Sequence, residues 1–307
     1  MDIIFLASIM VKIIFVVAVG FILKKTGIIT DELQKGLSSL LVNGIVPFNI
    51  LEASVCEYTE ELAVNVGYSA VIAGLYYLIV IIFSHLLVKR FKLDKNSKRI
   101  IITMITFANV GFIGFSLTGE LFGEEGTLYC VIYNLFYNAL MYVYGINLLS
   151  GEKGFNIKAA LKKPVTVACI IALIIFFSPF HIPDMLLSPI SSIGSMVFPV
   201  SMIIIGCEIN EMELSMLIKN KYAYVVSAMR LLILPLIMAA VLHFLGFRGI
   251  LPRTMVVLTA LPCGSMNIIF AEAYDCAPKL AAVTVVQSML LLIPTFPIII
   301  AVCYAFL

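Results

Sequence analysis

A chain of 307 residues that is 62% hydrophobic and only 12% charged has too few polar residues to cover the surface of a soluble globule of its size. Its formal net charge of +2 comes without a long run of like charge, so nucleic acid is not an expected partner. The composition is that of an integral membrane protein, whose solvent is the lipid bilayer.

Crossing about 30 Å of hydrocarbon as helix takes roughly 20 apolar residues. Such stretches fall near 3–23, 33–55, 64–89, 99–120, 127–149, 164–180, 185–207, 222–246, 253–273 and 279–306. They are continuously apolar and do not alternate, which argues against a β-barrel. The expected fold is therefore all-α and polytopic, with ten transmembrane helices. The first stretch reads as a helix and not a signal peptide: Asp2 stands in place of a basic leader, Lys12 interrupts the apolar run, and no small-residue cleavage site follows.

Positive loops stay on the cytoplasmic side. Lys24, Lys25 and Lys35 flank the first loop, and Lys89, Arg90, Lys92, Lys95, Lys98 and Arg99 crowd the third. Lys153, Lys158, Lys162 and Lys163 follow in the fifth, Lys219 and Lys221 in the seventh and Lys279 in the ninth. The even loops carry Glu57, Glu60, Glu61, Glu124, Glu125 and Asp184, with Arg248 and Arg253 their only bases. Both termini are expected outside the cytoplasm.

The chain also repeats itself. Pro47 recurs as Pro199 and Glu120 as Glu272 at one offset, which predicts a five-helix repeat over 1–150 and a second over 151–307. An odd number of helices per repeat makes the second copy enter from the opposite face, giving the inverted repeats common among secondary transporters. At corresponding places two spans are interrupted, by Asn109-Val110-Gly111-Phe112-Ile113-Gly114 and by Leu261-Pro262-Cys263-Gly264-Ser265-Met266-Asn267. Irregular backbone at membrane depth is tolerated only where it faces protein or a wet cavity. Asn109, Gly111, Gly114, Pro262, Gly264, Ser265 and Asn267 are accordingly the candidate substrate-binding residues; the competing reading is glycine-mediated helix packing.

Half-helix N-termini suit an anion. Lys12 and Arg230, both at mid-membrane depth, add positive charge, although a salt bridge with Glu52 or Glu208 would account for either equally well. Asn134 and Asn138 share a face of helix 5, and Gln287 lies on helix 10, its repeat partner; they serve either substrate or helix packing. Glu120 and Glu272, at the ends of helices 4 and 9, are coupling candidates if they are not solvated caps. The seven cysteines form no C-x-x-C pair, His85, His181 and His243 are scattered, and no nucleotide loop or nucleophile motif occurs. The residues point to neither an enzyme, a metal site nor a cofactor.

Several motifs resemble those of the auxin efflux carrier family across essentially the whole chain. They are Gly20 to Gly27 followed by Leu37 to Pro47, the Asn109-x-Gly111-Phe112-x-Gly114 break, Pro199 ahead of Gly206, Arg230 before Pro235, and Ala260-x-Pro262 through Ala271-Glu272-Ala273-Tyr274 to Gln287 and Pro294. The resemblance implies crossed broken helices 4 and 9, a scaffold of helices 1, 2, 6 and 7 that dimerises, and a mobile domain of helices 3–5 and 8–10. It further implies an elevator-type carrier for a carboxylate such as malate, malonate or an auxin-like acid, with proton or sodium coupling left open. One departure is Ser116, which stands where the family commonly has proline, so the first break is expected to be softer and Ser116 joins the candidate site. The rival readings are a sodium-coupled symporter of the bile-acid type and a channel or sensor on the same fold.

Overall fold

Polar caps and prolines cut the apolar sequence into helices. The computed structural model describes residues 3–151, 158, 161–178, 182–210 and 220–307; Lys153, His181 and Lys219 lie outside the described residues. Helix α1 is Ile3–Lys25. Thr30 starts α2 (Asp31–Leu40) by accepting from the Leu33 amide, and Thr59 starts α4 (Glu60–Val88) by accepting from that of Leu62. Both first turns carry acidic pairs, Asp31 with Glu32 and Glu60 with Glu61, which complement the positive end of the helix dipole. Asp94 caps α5 (Lys95–Thr106) through the Ser97 amide at 2.9 Å, and these Ser97 hydrogen bonds hold its carboxyl below the usual range.

Two prolines deform the helix ahead of them. Between α2 and α3 (Val46–Ala53) lies a π-helical turn, Leu41–Ile45, and between α11 (Lys221–Ala228) and α12 (Leu234–Phe244) lies another, Met229–Ile233. Each ends two residues before a proline, Pro47 or Pro235. A proline ring crowds the carbonyl four residues back and offers no N–H, so the preceding turn widens. The remaining helices are α6 (Phe115–Leu140), α7 (Ile146–Ser150), α8 (Pro164–Phe177), α9 (Asp184–Gly194), α10 (Val197–Asn210), α13 (Ile250–Thr259), α14 (Met266–Ala273) and α15 (Pro278–Phe306). Helix α6 turns sharply at Gly123, whose φ of 64° lies in the left-handed region.

Among the described residues, five stretches are long and apolar enough to cross a membrane: Asp31–Ala53, Glu60–Val88, Met185–Asn210, Lys221–Phe244 and Pro278–Phe306. Helix α4 displays the two-sided character this requires. Val64, Val71, Leu75, Leu78, Ile82 and Leu86 are exposed, while Val66, Ser69, Ala73, Tyr77, Val80 and Ser84 are buried. Apolar residues on both faces fit a helix with lipid on one side and protein on the other. The buried serines donate to carbonyls of their own helix, Ser69 to Val66 and Ser84 to Ile81, so their hydroxyls are satisfied without leaving it.

Helix α1 lies along α10, and α3 lies against α8 and α9. Helices α4 and α5 pack together, α6 packs on α4 and α13, and α15 packs on α11 through α14. The α1–α10 contact is backbone on backbone. A Cβ at Gly206 would fall 2.1 Å from the Val17 carbonyl oxygen, and one at Gly20 would fall 2.2 Å from that of Ile203. Small residues allow such close approach in lipid, where packing drives helix association in place of the hydrophobic effect.

Gly206→Ala should therefore force α1 off α10 and lower stability by about 1–3 kcal/mol, the usual scale of overpacking. Gly36→Ala, at a helical position with nothing within 4 Å, should leave thermal unfolding in detergent unchanged or slightly higher. Equal melting temperatures for wild type and Gly206→Ala would refute the contact.

Candidate functional site

Two chain breaks meet inside the molecule and complete each other's hydrogen bonding. Helix α5 ends at Thr106, the backbone is extended at Phe107, and a π-helical turn, Val110–Gly114, leads into α6. Helix α13 ends at Thr259, and α14 resumes at Met266. Ala108 and Cys263 form an isolated antiparallel bridge between the two breaks. The Asn109 amide donates to the Pro262 carbonyl at 2.9 Å, and the Gly264 amide donates to the Phe107 carbonyl at 3.1 Å. Pro262 has no N–H to leave unpaired. Gly264 is needed for the approach, since a Cβ there would sit 2.8 Å from the Ala108 carbonyl oxygen.

Side chains tie the remaining groups. Asn267 donates from Nδ2 to the carbonyls of Phe107 at 3.1 Å and Gly264 at 2.9 Å, bracing both breaks at once. Ser288 on α15 accepts from the Cys263 amide at 3.0 Å. Asn109 caps the turn that follows it, with Oδ1 accepting from the Phe112 amide, and its Nδ2 donates to Ser265 Oγ at 3.3 Å. Ser265 in turn donates to the Glu208 carboxylate of α10, at 3.1 and 3.3 Å to its two oxygens. The first break thus forms without a proline, because Asn109 supplies the cap and the partner strand supplies the backbone bonds.

Arg230 fixes the other ends of the broken helices. It is fully buried, and its guanidinium donates to the Leu261 carbonyl from Nε and Nη2 at 3.2 Å, to the Ile105 carbonyl at 3.1 Å and to the Tyr76 hydroxyl at 2.8 Å. Ile105 and Leu261 stand where α5 and α13 stop, at negative ends of helix dipoles. One cation therefore neutralises both C-termini and leaves the N-terminal ends dominant at the crossover.

The other sequence-predicted residues are distributed around this centre. Gly111 is partly exposed and a Cβ there would meet nothing within 4 Å, so open space adjoins the turn. Gly114 is packed against Leu258 and Leu261. Asn134 is buried with Nδ2 3.8 Å from Cys169 Sγ on α8, Asn138 is partly buried three residues before the π-helical turn Met141–Gly145, and Gln287 accepts from Ser227 of α11 at 3.4 Å. These three lie on helices flanking the crossover. Glu272 is exposed at the end of α14.

Lys12 and Glu120 form an ion pair at 2.6 Å, with Lys12 also 4.7 Å above the Phe198 ring. Their side chains are 50% and 25% exposed, so the pair is partly solvated. It borders a cavity of about 240 Å³ between α3, the first half of α6 and the α9–α10 corner. Asn49, Glu52, Ser116, Glu120, Glu124 and Thr127 supply its polar lining. Ser191 donates to Glu52, while burial and then the Glu52 carboxylate raise the Glu124 carboxyl above its ordinary range. Sequence reasoning placed Glu52 as a partner for a buried base and Glu124 in a loop, and missed both as cavity residues. Only the three-dimensional approach of α3 to the Gly123 turn brings them together.

An apolar helical exterior enclosing two interrupted helices that cross through paired backbone is the build of a polytopic membrane transporter. A family model described as membrane transport protein matches residues 5–157 and 153–300. The chain belongs to that family, which is the auxin efflux carrier family. It is similar to an uncharacterized transporter of Methanocaldococcus jannaschii, 23% identical over 278 residues covering 88% of this chain and 90% of the relative. An uncharacterized transporter of Methanothermobacter thermautotrophicus is 24% identical over 303 residues, covering 94% and 95%. A probable auxin efflux carrier component 1c of Oryza sativa subsp. japonica is 29% identical over 138 residues, 44% of this chain and 23% of that protein.

Arg230→Met should strand the Leu261 and Ile105 carbonyls, each costing about 1–3 kcal/mol when buried without a partner. Thermal unfolding should fall by several degrees or the folded elution peak should vanish, with Arg230→Lys intermediate. A wild-type melting curve for Arg230→Met would contradict this bracing role.

Proposed function

We propose that this transporter is a secondary carrier moving a small organic anion by elevator-type alternating access, with the crossover as its substrate site. The observation that carries this reading is the Glu208 carboxylate seated on Ser265 beside Asn109. A side-chain carboxylate rests where two half-helix N-termini converge, so the same donors suit the carboxylate of a cargo. Arg230, by neutralising the opposite helix ends, favours that sign of charge. In this reading ten spans form two inverted five-helix repeats, and helices 3–5 and 8–10 move against helices 1, 2, 6 and 7, the scaffold through which the chain dimerises.

Malate, malonate and indole acids are the cargoes to try first, the last because plant relatives bear the name auxin efflux carrier. The membrane is a bacterial inner membrane with both termini outside. In proteoliposomes, carboxylate loaded inside should drive saturable counterflow of labelled carboxylate. Asn109→Ala, which removes both the cap and the bond to Ser265, should reduce the initial rate at least tenfold while the protein still elutes as a folded species. Flux that never saturates would favour a channel, and an unaffected Asn109→Ala would remove the crossover from the transport path.

A further inference from the structure

The acidic cavity beside the crossover has no assigned occupant. Its lining includes three carboxylates, Glu52, Glu120 and Glu124, and no Lys or Arg among the described residues. Lys12 balances one of them, Glu120, through the 2.6 Å ion pair. The Glu52 and Glu124 carboxyl groups face the same partly enclosed space, with Ser191 donating to Glu52.

Independent of the carboxylates is Ser116. It is 3% exposed, lines the cavity, and its Oγ is buried without a hydrogen-bond partner. Many helical hydroxyls here bond back to their own helix, as Thr118 does two residues further on by donating to the Gly114 carbonyl at 2.8 Å. Ser116, like Thr166 and Thr254, does not, and of these three only Ser116 lines the cavity. Asn49 Oδ1, on the opposite wall, is likewise buried and unpartnered. Buried oxygens without partners carry a free-energy penalty that an incoming ligand removes. Here the unpartnered groups include two oxygen acceptors set among carboxylates.

We propose that this cavity binds a small monovalent cation, an alkali ion or ammonium, through the Glu52 and Glu124 carboxylates, Ser116 Oγ and Asn49 Oδ1. Oxygen donors of this kind suit hard cations. Among the described residues no three His, Cys, Asp or Glu side chains converge closely enough to chelate a metal ion, which fits a loosely held monovalent ion over a divalent one. A volume of about 240 Å³ leaves room for the ion and part of its water shell. Ser116 stands in the first turn of α6, directly after the crossover, so ion and anion sites are adjacent. Coupling of the ion to cargo movement rests on the carrier reading; binding of the ion does not.

The test uses purified full-length protein in detergent or nanodiscs, with thermal unfolding followed in chloride salts of sodium, potassium, ammonium and choline at one ionic strength. At least one small cation should raise the melting temperature saturably over choline. Glu52→Gln with Glu124→Gln should abolish the shift, Ser116→Ala should weaken apparent affinity at least threefold with all charges intact, and Glu57→Gln, in an exposed loop, should leave it unchanged. Equal melting in all four salts overturns the proposal. So does a shift that survives both the double variant and Ser116→Ala. The two readings fail separately: a cation shift without carboxylate flux leaves this site standing and removes the anion carrier, whereas carboxylate flux without any cation shift does the reverse.

Discussion

The structure depends on one backbone exchange. In hydrocarbon an unpaired N–H or C=O costs several kcal/mol, so a helix broken at membrane depth is untenable alone. Phe107 to Asn109 and Pro262 to Gly264 solve this by pairing with each other through two hydrogen bonds. Neither break can persist without the other. Everything nearby serves that pairing: Asn267 spans both strands, Ser288 closes the Cys263 amide, and Gly264 admits the Ala108 carbonyl.

Charge follows from the same geometry. Breaking two helices creates two negative and two positive ends near one point. Arg230 occupies the negative side and is wholly enclosed there, held by Leu261, Ile105 and Tyr76. On the positive side Asn109 and Ser265 lead to a carboxylate of α10. The crossover is therefore polarised, and beyond it lies the acidic cavity with its own Lys12–Glu120 pair. Two helix N-termini, with Asn109 and Ser265 at their N-cap positions, thus stand close to a recess lined by Glu52, Glu120 and Glu124.

Much of this was legible in the residues. Gly, Pro and Asn inside apolar runs marked both breaks, because only those residue types relieve or cap an interrupted helix, and the break at Asn109 forms even with Ser116 in place of a proline. Composition and periodicity gave an all-helical membrane protein. What stayed hidden were the pairings between distant elements. Lys12 and Arg230 carry the same charge and lie at similar depth in sequence, yet Lys12 meets Glu120 at a partly solvated edge while Arg230 is sealed among carbonyls. Sequence ranks the cost of burying a charge but does not say which neighbour relieves it. Glu52 and Glu124 escaped notice because each looks like a residue at the margin of a span, and only the turn at Gly123 and the approach of α3 place them across one cavity.

Whether the crossover is exposed alternately to the two sides of the membrane can be read most directly with a thiol placed at Gly111, where a side chain meets open space. Cys56 is the one native cysteine among the described residues that is not buried, so Cys56→Ser gives a quiet background. In proteoliposomes of uniform orientation, Gly111→Cys should react with a membrane-impermeant thiol reagent supplied from either side, and a transported carboxylate should slow both reactions. Labelling from one side only, or at a rate no carboxylate alters, would contradict the account.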